Sequence, residues 1–323
     1  DRRQRQMCIR DSNNGNDKLF IQEKIGIPIT VIYSPSYKKK ILSWIHGVLN
    51  VISKSKQNDT IICWYDFQAV LCWWICYLLF KRRNIICINI LLKDKSSKKN
   101  KIVSYLYKKS LLSTNFKASV TSTKYGQWLN RKLGINVKYT LIHDVYHDSY
   151  KFEQSVEQIP NSVFCGGNNG RDWNFIIKIA KRMPDVRFNI VMPHSIYLKY
   201  KNILTENMNV RYDIPYNEFM KEMCSSSIVC LPLDTEAPAG LIVMFQAAAN
   251  NKMVITTDTV TTHEYISMEH GVVLKNDENL WVNEISYSIK NSESTMKKAS
   301  AFKQYILQNC SENLFITGLK SIL

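Results

Sequence analysis

The 323-residue chain carries nine cysteines but not one Cys-x-x-Cys pair. They stand at 8, 63, 72, 76, 87, 165, 224, 230 and 310, mostly inside apolar runs such as Ile62-Cys63-Trp64 and Val229-Cys230-Leu231. An odd number of thiols set this way behaves as small hydrophobes, speaks against a disulfide framework or a zinc site, and fits a reducing cytoplasm. No other metal-ligand cluster stands out. The most apolar stretch, Phe67–Phe80, has 14 residues, short of the roughly 20 that a spanning helix needs. Neither a Gly-x-Gly-x-x-Gly fingerprint nor a P-loop Lys-Ser/Thr is present. There is no RNP-type or helix-turn-helix signature either, which argues against a nucleic-acid partner.

What the sequence does have is positive charge, and it is unevenly placed. The formal net charge is +16. Residues 1–150 hold 26 Lys/Arg and 9 Asp/Glu, whereas residues 151–323 hold 17 and 18. A basic first half implies an anionic partner there: membrane lipid, nucleic acid or a phosphorylated substrate. A Lys/Asn/Ile-rich coding bias is the plain alternative. With 45% apolar residues the chain can bury real cores. Phe67–Phe80 reads as a buried helix of the first half; because Lys81-Arg82-Arg83 follows at once, an interfacial helix is the sharper reading.

The first dozen residues stand apart. Asp1–Asp11 resembles a translated sequencing-adapter peptide and lacks both an initiating Met at position 1 and the apolar core of a signal peptide. Residues 1–12 are therefore left outside the fold, and the first strand of the first domain is expected to be missing.

From there, strand-length β-branched runs alternate with helical segments. Ile27–Tyr33, Thr60–Trp64, Asn84–Leu91, Ala118–Thr121 and Lys138–Ile142 read as strands of the first half. Lys39–Ser53, Gln68–Phe80 and Lys101–Ser113 read as the helices between them. The second half repeats the rhythm with strands Ser162–Cys165, Arg187–Met192, Asn209–Arg211, Ile228–Leu231 and Met253–Thr256, and helices Trp173–Arg182, Tyr216–Met223 and Leu241–Asn250. This alternation predicts an α/β protein of two Rossmann-like domains with parallel sheets facing a cleft. The domains are expected at 13–150 and 162–294, with a polar linker at 151–161. Amphipathic helices over 295–323 complete the chain.

Two stretches carry chemistry. In Val163-Phe-Cys-Gly-Gly-Asn-Asn-Gly-Arg-Asp-Trp-Asn174 a strand runs through Gly166, Gly167 and Gly170 into a helix. Glycines let a ligand approach the main chain, a helix N-terminus offers free N–H groups to a phosphate, and Arg171 adds a fork of donors. A plain tight strand–helix turn would look the same. In the second stretch, strand Ile228–Leu231 leads through a small-residue loop to Ala239, Gly240 and Leu241, where a second helix opens. Two such turns at carboxyl ends of strands in one sheet define a nucleotide crevice.

Together these stretches resemble the donor domain of GT-B fold glycosyltransferases, nearest to retaining family four. The resemblance runs from Val163 to Leu274. It rests on the Gly-Arg loop, Pro184-Asp185 before the next strand, Asn251-Lys252-Met253-Val254-Ile255 for the family's "gly-lys-pro-val-ile", and Gly271-Val272-Val273 after Thr257–Ile266. It implies metal-independent transfer of a sugar, of hexosyltransferase type, from a nucleotide-sugar co-substrate to a glycan or lipid-diphosphate-linked acceptor, with no other cofactor. It also implies a place in bacterial surface polysaccharide synthesis, in the cytoplasm or at the inner face of the membrane, with helices 295–323 packing back on the first domain. Arg171 matches the family's phosphate-gripping Arg, while Asn174 stands in the shortened loop where no Lys matches. Gln246 occupies the ribose-contacting Glu position. The sugar-contacting Glu position falls on Pro238, with Glu236 two residues earlier as the substitute. In the first domain Asp66, at the end of strand Thr60–Trp64, is the candidate polar residue near the reacting carbon, against an ordinary role as a helix cap. The missing Glu and Lys support a second reading: a non-catalytic GT-B subunit that binds a glycan or a partner enzyme.

Overall fold

A computed structural model describes residues 6–10, 24–26, 29–33, 35, 37, 40–92 and 98–323. The chain forms two compact units, residues 1–143 with 313–323, and residues 144–312.

The first unit is built on a parallel sheet in the order β2-β1-β3-β4-β5-β6. Its strands are β1 (Gln6–Arg10), β2 (Ile29–Tyr33), β3 (Thr60–Cys63), β4 (Asn84–Cys87), β5 (Phe116–Val120) and β6 (Thr140–Leu141). Here the structure corrects the sequence reading. Gln6–Arg10, left outside the fold, pairs in register with Ile29–Tyr33 on one side and with Thr60–Cys63 on the other. A parallel ladder is made by the main chain, so a short segment needs only strand length to join it. The expected gap at the first strand is thus filled, and residues 1–5, 11 and 12 lie outside the described residues.

Helices α1 (Lys40–Lys54), α2 (Asp66–Leu78), α3 (Lys98–Leu111) and α4 (Thr123–Leu133) connect these strands. The last of them was not expected, although Ser122 caps it by accepting the Tyr125 N–H and Gly134 ends it in the left-handed conformation. In α2 the apolar run divides. Ala69, Val70, Cys72, Trp73 and Cys76 are buried, while Tyr77, Leu78, Leu79 and Phe80 are exposed, Phe80 to 95%. The helix closes in a Schellman turn, in which Lys81 N–H reaches Cys76 O at 2.8 Å and Phe80 N–H reaches Tyr77 O. Phe80 holds the left-handed position (φ 53°) that glycine ordinarily fills. Among the described residues no helix is long and apolar enough to cross a membrane.

The second unit carries a parallel sheet in the order β12-β11-β10-β7-β8-β9. Its strands are β7 (Ile159–Gly166), β8 (Arg187–Met192), β9 (Met208–Tyr212), β10 (Ser226–Leu231), β11 (Val254–Thr257) and β12 (Val272–Leu274). The helices are α5 (Trp173–Arg182), α6 (His194–Tyr200), α7 (Tyr216–Ser225), α8 (Leu241–Ala249), α9 (Thr262–Tyr265), α10 (Glu278–Lys290) and α11 (Ser292–Asn309). Both faces of this sheet are covered, so alternate residues of one strand enter different cores. Val163, Cys165, Ile228 and Cys230 pack with Ile176, Phe188 and Trp281 on one face. Phe164, Val229 and Leu231 pack with Met244, Phe245 and Phe302 on the other.

The boundaries move accordingly. β7 begins at Ile159, inside the expected linker, because Ile159 already pairs with Ser226 of β10, ahead of Val163 and Phe164, which pair with both β8 and β10. The C-terminal helices separate: α11 buries Phe302 and Ile306 in the second unit, while α12 (Glu312–Ile322) joins the first. There Lys117 Nζ donates to Ile322 O at 3.1 Å and the Phe315 ring lies 5.9 Å from that of Trp64.

Candidate functional site

The strand order of the second unit reverses between β7 and β10, and a loop leaves the carboxyl end of each of these two neighbours. Such a switch point is where parallel α/β sheets bind ligands. Both glycine turns lie there. Main-chain bonds tie them together: Asp172 N–H to Pro232 O at 3.0 Å and Asp234 N–H to Gly170 O at 3.1 Å, with Arg171 and Leu233 paired antiparallel.

Arg171 joins the turns at the level of side chains. It is 5% exposed. Its Nε donates to Gly166 O at 2.8 Å and its Nη1 to Asn169 O at 3.1 Å. A Cβ at Gly167 would stand 2.7 Å from Nη2, and one at Gly240 3.1 Å from Nη1. The guanidinium therefore sits under both turns, each at a positive φ (120° at Gly167, 80° at Gly240), where lack of a side chain is what admits it. Burial pulls its pKa down, opposed by Cys165 and the Asp234 carboxylate. Gly170 closes the same knot: a Cβ there would lie 2.7 Å from Thr235 Cγ2 and 2.8 Å from Ala239 Cβ. Gly166 serves packing, pressed against the Phe164 and Phe219 rings.

The two helix N-termini differ in a way that the sequence reading missed. At α5, Asp172 is the cap: its Oδ1 accepts the Phe175 N–H at 3.0 Å and Asn276 Nδ2 donates to its Oδ2 at 3.4 Å. A carboxylate thus occupies the dipole end expected to take a phosphate. Asn174 projects from the same helix as an exposed residue. An Asp directly before a periodic apolar run was a readable cap signal. At α8 the cap is Gly240, with no side-chain bond and no acid in the first turn. This end is open and next to Arg171, an arrangement whose dipole and free N–H groups suit an anion.

Gln246, on α8, is 5% exposed. Its Nε2 stands 3.5 Å from Tyr216 Oη, and its buried Oε1 has no hydrogen-bond partner in the protein. An acceptor in this state is suited to a hydroxyl donor. Glu236 is engaged elsewhere: its Oε2 accepts the Val260 N–H at 2.9 Å, bracing the loop after β11.

Asp66 lies in the first unit and is also engaged. Oδ1 accepts the Phe67 N–H at 2.7 Å; Oδ2 accepts the Leu91 N–H at 3.0 Å and the Tyr107 hydroxyl at 2.8 Å. Burial pushes the Tyr107 pKa up, and the Asp66 charge adds to it. The geometry is that of a brace between α2, the loop after β4 and α3. Of the residues singled out, then, the structure brings together Gly167, Gly170, Arg171, Ala239 and Gly240, with Leu241 opening α8. Sequence reasoning missed Thr257 and Asn276, which hold the Pro232–Asp234 loop: Leu233 N–H donates to Thr257 Oγ1 and Asn276 Nδ2 to Leu233 O. It also missed the His263–Asp258 pair at 2.6 Å, just after β11. No spacing rule points to contacts of this range. Among the described residues no three His, Cys, Asp or Glu side chains gather as a metal-ligand set.

No family model and no curated protein matches the sequence. Solved structures do share the fold. HepE from Anabaena, solved with UDP and glucose, superposes with a TM-score of 0.71 at 14% identity, over 98% of each chain. Sucrose-phosphate synthase from Thermosynechococcus elongatus gives 0.74 at 10% identity, over 99% of this chain and 98% of that one. WaaG, a glycosyltransferase involved in lipopolysaccharide biosynthesis, gives 0.65 at 11% identity, over 98% of each. The chain is an α/β protein with the GT-B fold of these glycosyltransferases.

Proposed function

We propose that this chain is a glycosyltransferase that takes a sugar from a nucleotide-diphosphate donor and passes it to a hydroxyl of a glycan or lipid-linked acceptor, with retention. The observation that carries the reading is the Arg171 guanidinium lodged under Gly167 and Gly240 beside the uncapped α8 N-terminus. A fixed cation and free N–H groups suit a leaving diphosphate, whose charge grows as the sugar C1–O bond breaks. In that step the acceptor oxygen bonds to C1 from the face the diphosphate leaves, and the acceptor proton passes to the departing phosphate oxygen. No protein nucleophile or cofactor enters. Gln246 Oε1 accepts a ribose hydroxyl of the donor. UDP bound in HepE supports the donor class.

The role of WaaG supports a place in bacterial surface polysaccharide synthesis, on the cytoplasmic face of the membrane. For the first unit we propose an anionic lipid surface as partner. Its motivation is the run of exposed Tyr77, Leu78, Leu79 and Phe80 followed by exposed Lys81 and Arg82, since apolar side chains flanked by cations suit a charged interface.

The experiment is a thermal-shift screen of UDP-, GDP-, ADP- and TDP-sugars on the full chain. A donor that stabilises the protein supports the reading and identifies the nucleotide; silence from all four in a folded sample refutes it. One observation favours a second reading, a subunit that binds nucleotide without transfer: both candidate carboxylates, Asp66 and Glu236, are held by main-chain N–H groups. Release of UDP from a binding donor, with or without an added acceptor, decides for the enzyme.

A further inference from the structure

The amino-terminal edge of the second sheet, opposite the Arg171 turns, holds a cavity of about 640 Å³. It lies where β7, β10 and β11 begin, and is walled by residues 152–161, the segment before β11 and the first turn of α11. Phe152, Val156, Ile289 and Met296 supply apolar wall. The volume falls in the range of sites for small organic molecules.

Two features give this cavity a sign. Lys252 lines it while only 9% exposed. Its Nζ donates to Gln158 Oε1 at 2.7 Å and to Ser226 O at 2.6 Å, both neutral oxygens. An ammonium has three hydrogens, so one donor is left over, and no Asp or Glu lines the cavity. A buried cation normally has an anionic partner. The second feature is the α11 N-terminus, whose residues Ser292 and Thr295 line the same cavity. Its cap residue Asn291 makes no side-chain bond to the helix, and the first-turn Glu293 is paired with Lys297 at 2.7 Å. The start of this 18-residue helix, separated from the carboxyl end of α10 by Asn291 alone, thus lies at the rim of this space with first-turn N–H groups that have no acceptor within the helix.

We infer that this cavity is a second ligand site, for a small organic anion whose carboxylate or phosphate meets Lys252 and the α11 N-terminus while its body lies on Phe152, Val156, Ile289 and Met296. The site is separate from the donor site, at the other edge of the sheet, and does not depend on the glycosyltransferase reading. Burial lowers the Lys252 pKa; a bound anion acts against that.

The test uses fluorine NMR line broadening on the full chain with three probes: 4-fluorobenzoate, 4-fluorophenyl phosphate and neutral 4-fluorobenzyl alcohol. The expected result is broadening of an anionic probe and not of the alcohol, the stronger anion telling carboxylate from phosphate. Ser292→Asp places a carboxylate at the helix end, where it favours the helix, and is expected to weaken anion binding by about tenfold or more. Lys252→Met is expected to do the same; should it fail to fold, Ser292→Asp decides. Excess UDP-glucose leaves the probe bound. Equal binding of the alcohol, no broadening by any probe, unchanged affinity in folded Ser292→Asp, or displacement by UDP-glucose each overturns the inference.

Discussion

The α8 N-terminus is best tested by a charge that leaves the fold intact. Ile242 is the second residue of α8 and 59% exposed, so Ile242→Glu removes no core contact. A first-turn Glu favours the helix by about 0.3–1 kcal/mol through the dipole, and the melting temperature is expected to hold or rise. A diphosphate bound at the Leu241 and Ile242 N–H groups would lie about 7 Å from the new carboxylate. With an effective dielectric of about 40, each phosphate charge is then repelled by about 1 kcal/mol, and two charges by about 2 kcal/mol. The donor dissociation constant should rise about 30-fold at low salt, and less at high salt because ions screen the repulsion. Ile242→Gln has the same shape and no charge, and should bind donor like the parent. The assay is isothermal titration with whichever nucleotide-sugar stabilises the protein. An unchanged dissociation constant in folded Ile242→Glu would refute diphosphate binding at this helix end.

Three further outcomes are expected. Phe80 is 95% exposed and holds a left-handed φ of 53°, so Phe80→Gly should stabilise the fold by about 1 kcal/mol while weakening sedimentation with phosphatidylglycerol vesicles; vesicle binding equal to the parent's would remove the lipid role. Asp66→Asn loses charge on three accepted hydrogen bonds and should cost about 1–3 kcal/mol in urea melts without changing the donor's thermal shift, whereas a lost shift at unchanged stability would return Asp66 to a catalytic role. Burial pushes the Cys165 and Cys310 thiols up to about 12 from an ordinary 9. A raised folded pKa gives stability that is whole below pH 9 and lost as pH rises toward 12; melting temperatures across pH 7 to 11 should fall on the alkaline side, and less steeply in Cys310→Ala.

The legible and illegible parts of this protein divide by the range of the contacts involved. Strands such as Arg187–Met192 and helices such as Trp173–Arg182 follow from β-branched runs and apolar periodicity, which act over a few residues. Helices α4 and α10 carried equally local signals in their caps, Ser122 and Asp277, that a search for apolar runs alone passes over. The sequence placed Gly166–Arg171 and Ala239–Leu241 at one edge of one sheet, because strand–turn–helix order is local and parallel topology does the rest. It did not show that Arg171 lies beneath Gly240, a residue 69 positions further on. Nor did it show that the Asp66 carboxylate is claimed by Leu91 and Tyr107, 25 and 41 positions away.

That difference changes the chemistry assigned to each residue. A guanidinium read from sequence as reaching outward to a phosphate is in fact spent in part on the Gly166 and Asn169 carbonyls, so it fixes two turns and places a charge beside them. The first main-chain N–H groups of α8 carry no capping side chain, whereas at α5 the equivalent position is filled by Asp172. Such an arrangement has little tolerance for a side chain at Gly167, Gly170 or Gly240. The main-chain recognition proposed for the donor leaves few fixed side chains to be read. In such a fold the pattern of positive-φ glycines around one buried cation is more informative than the identity of any single acidic residue.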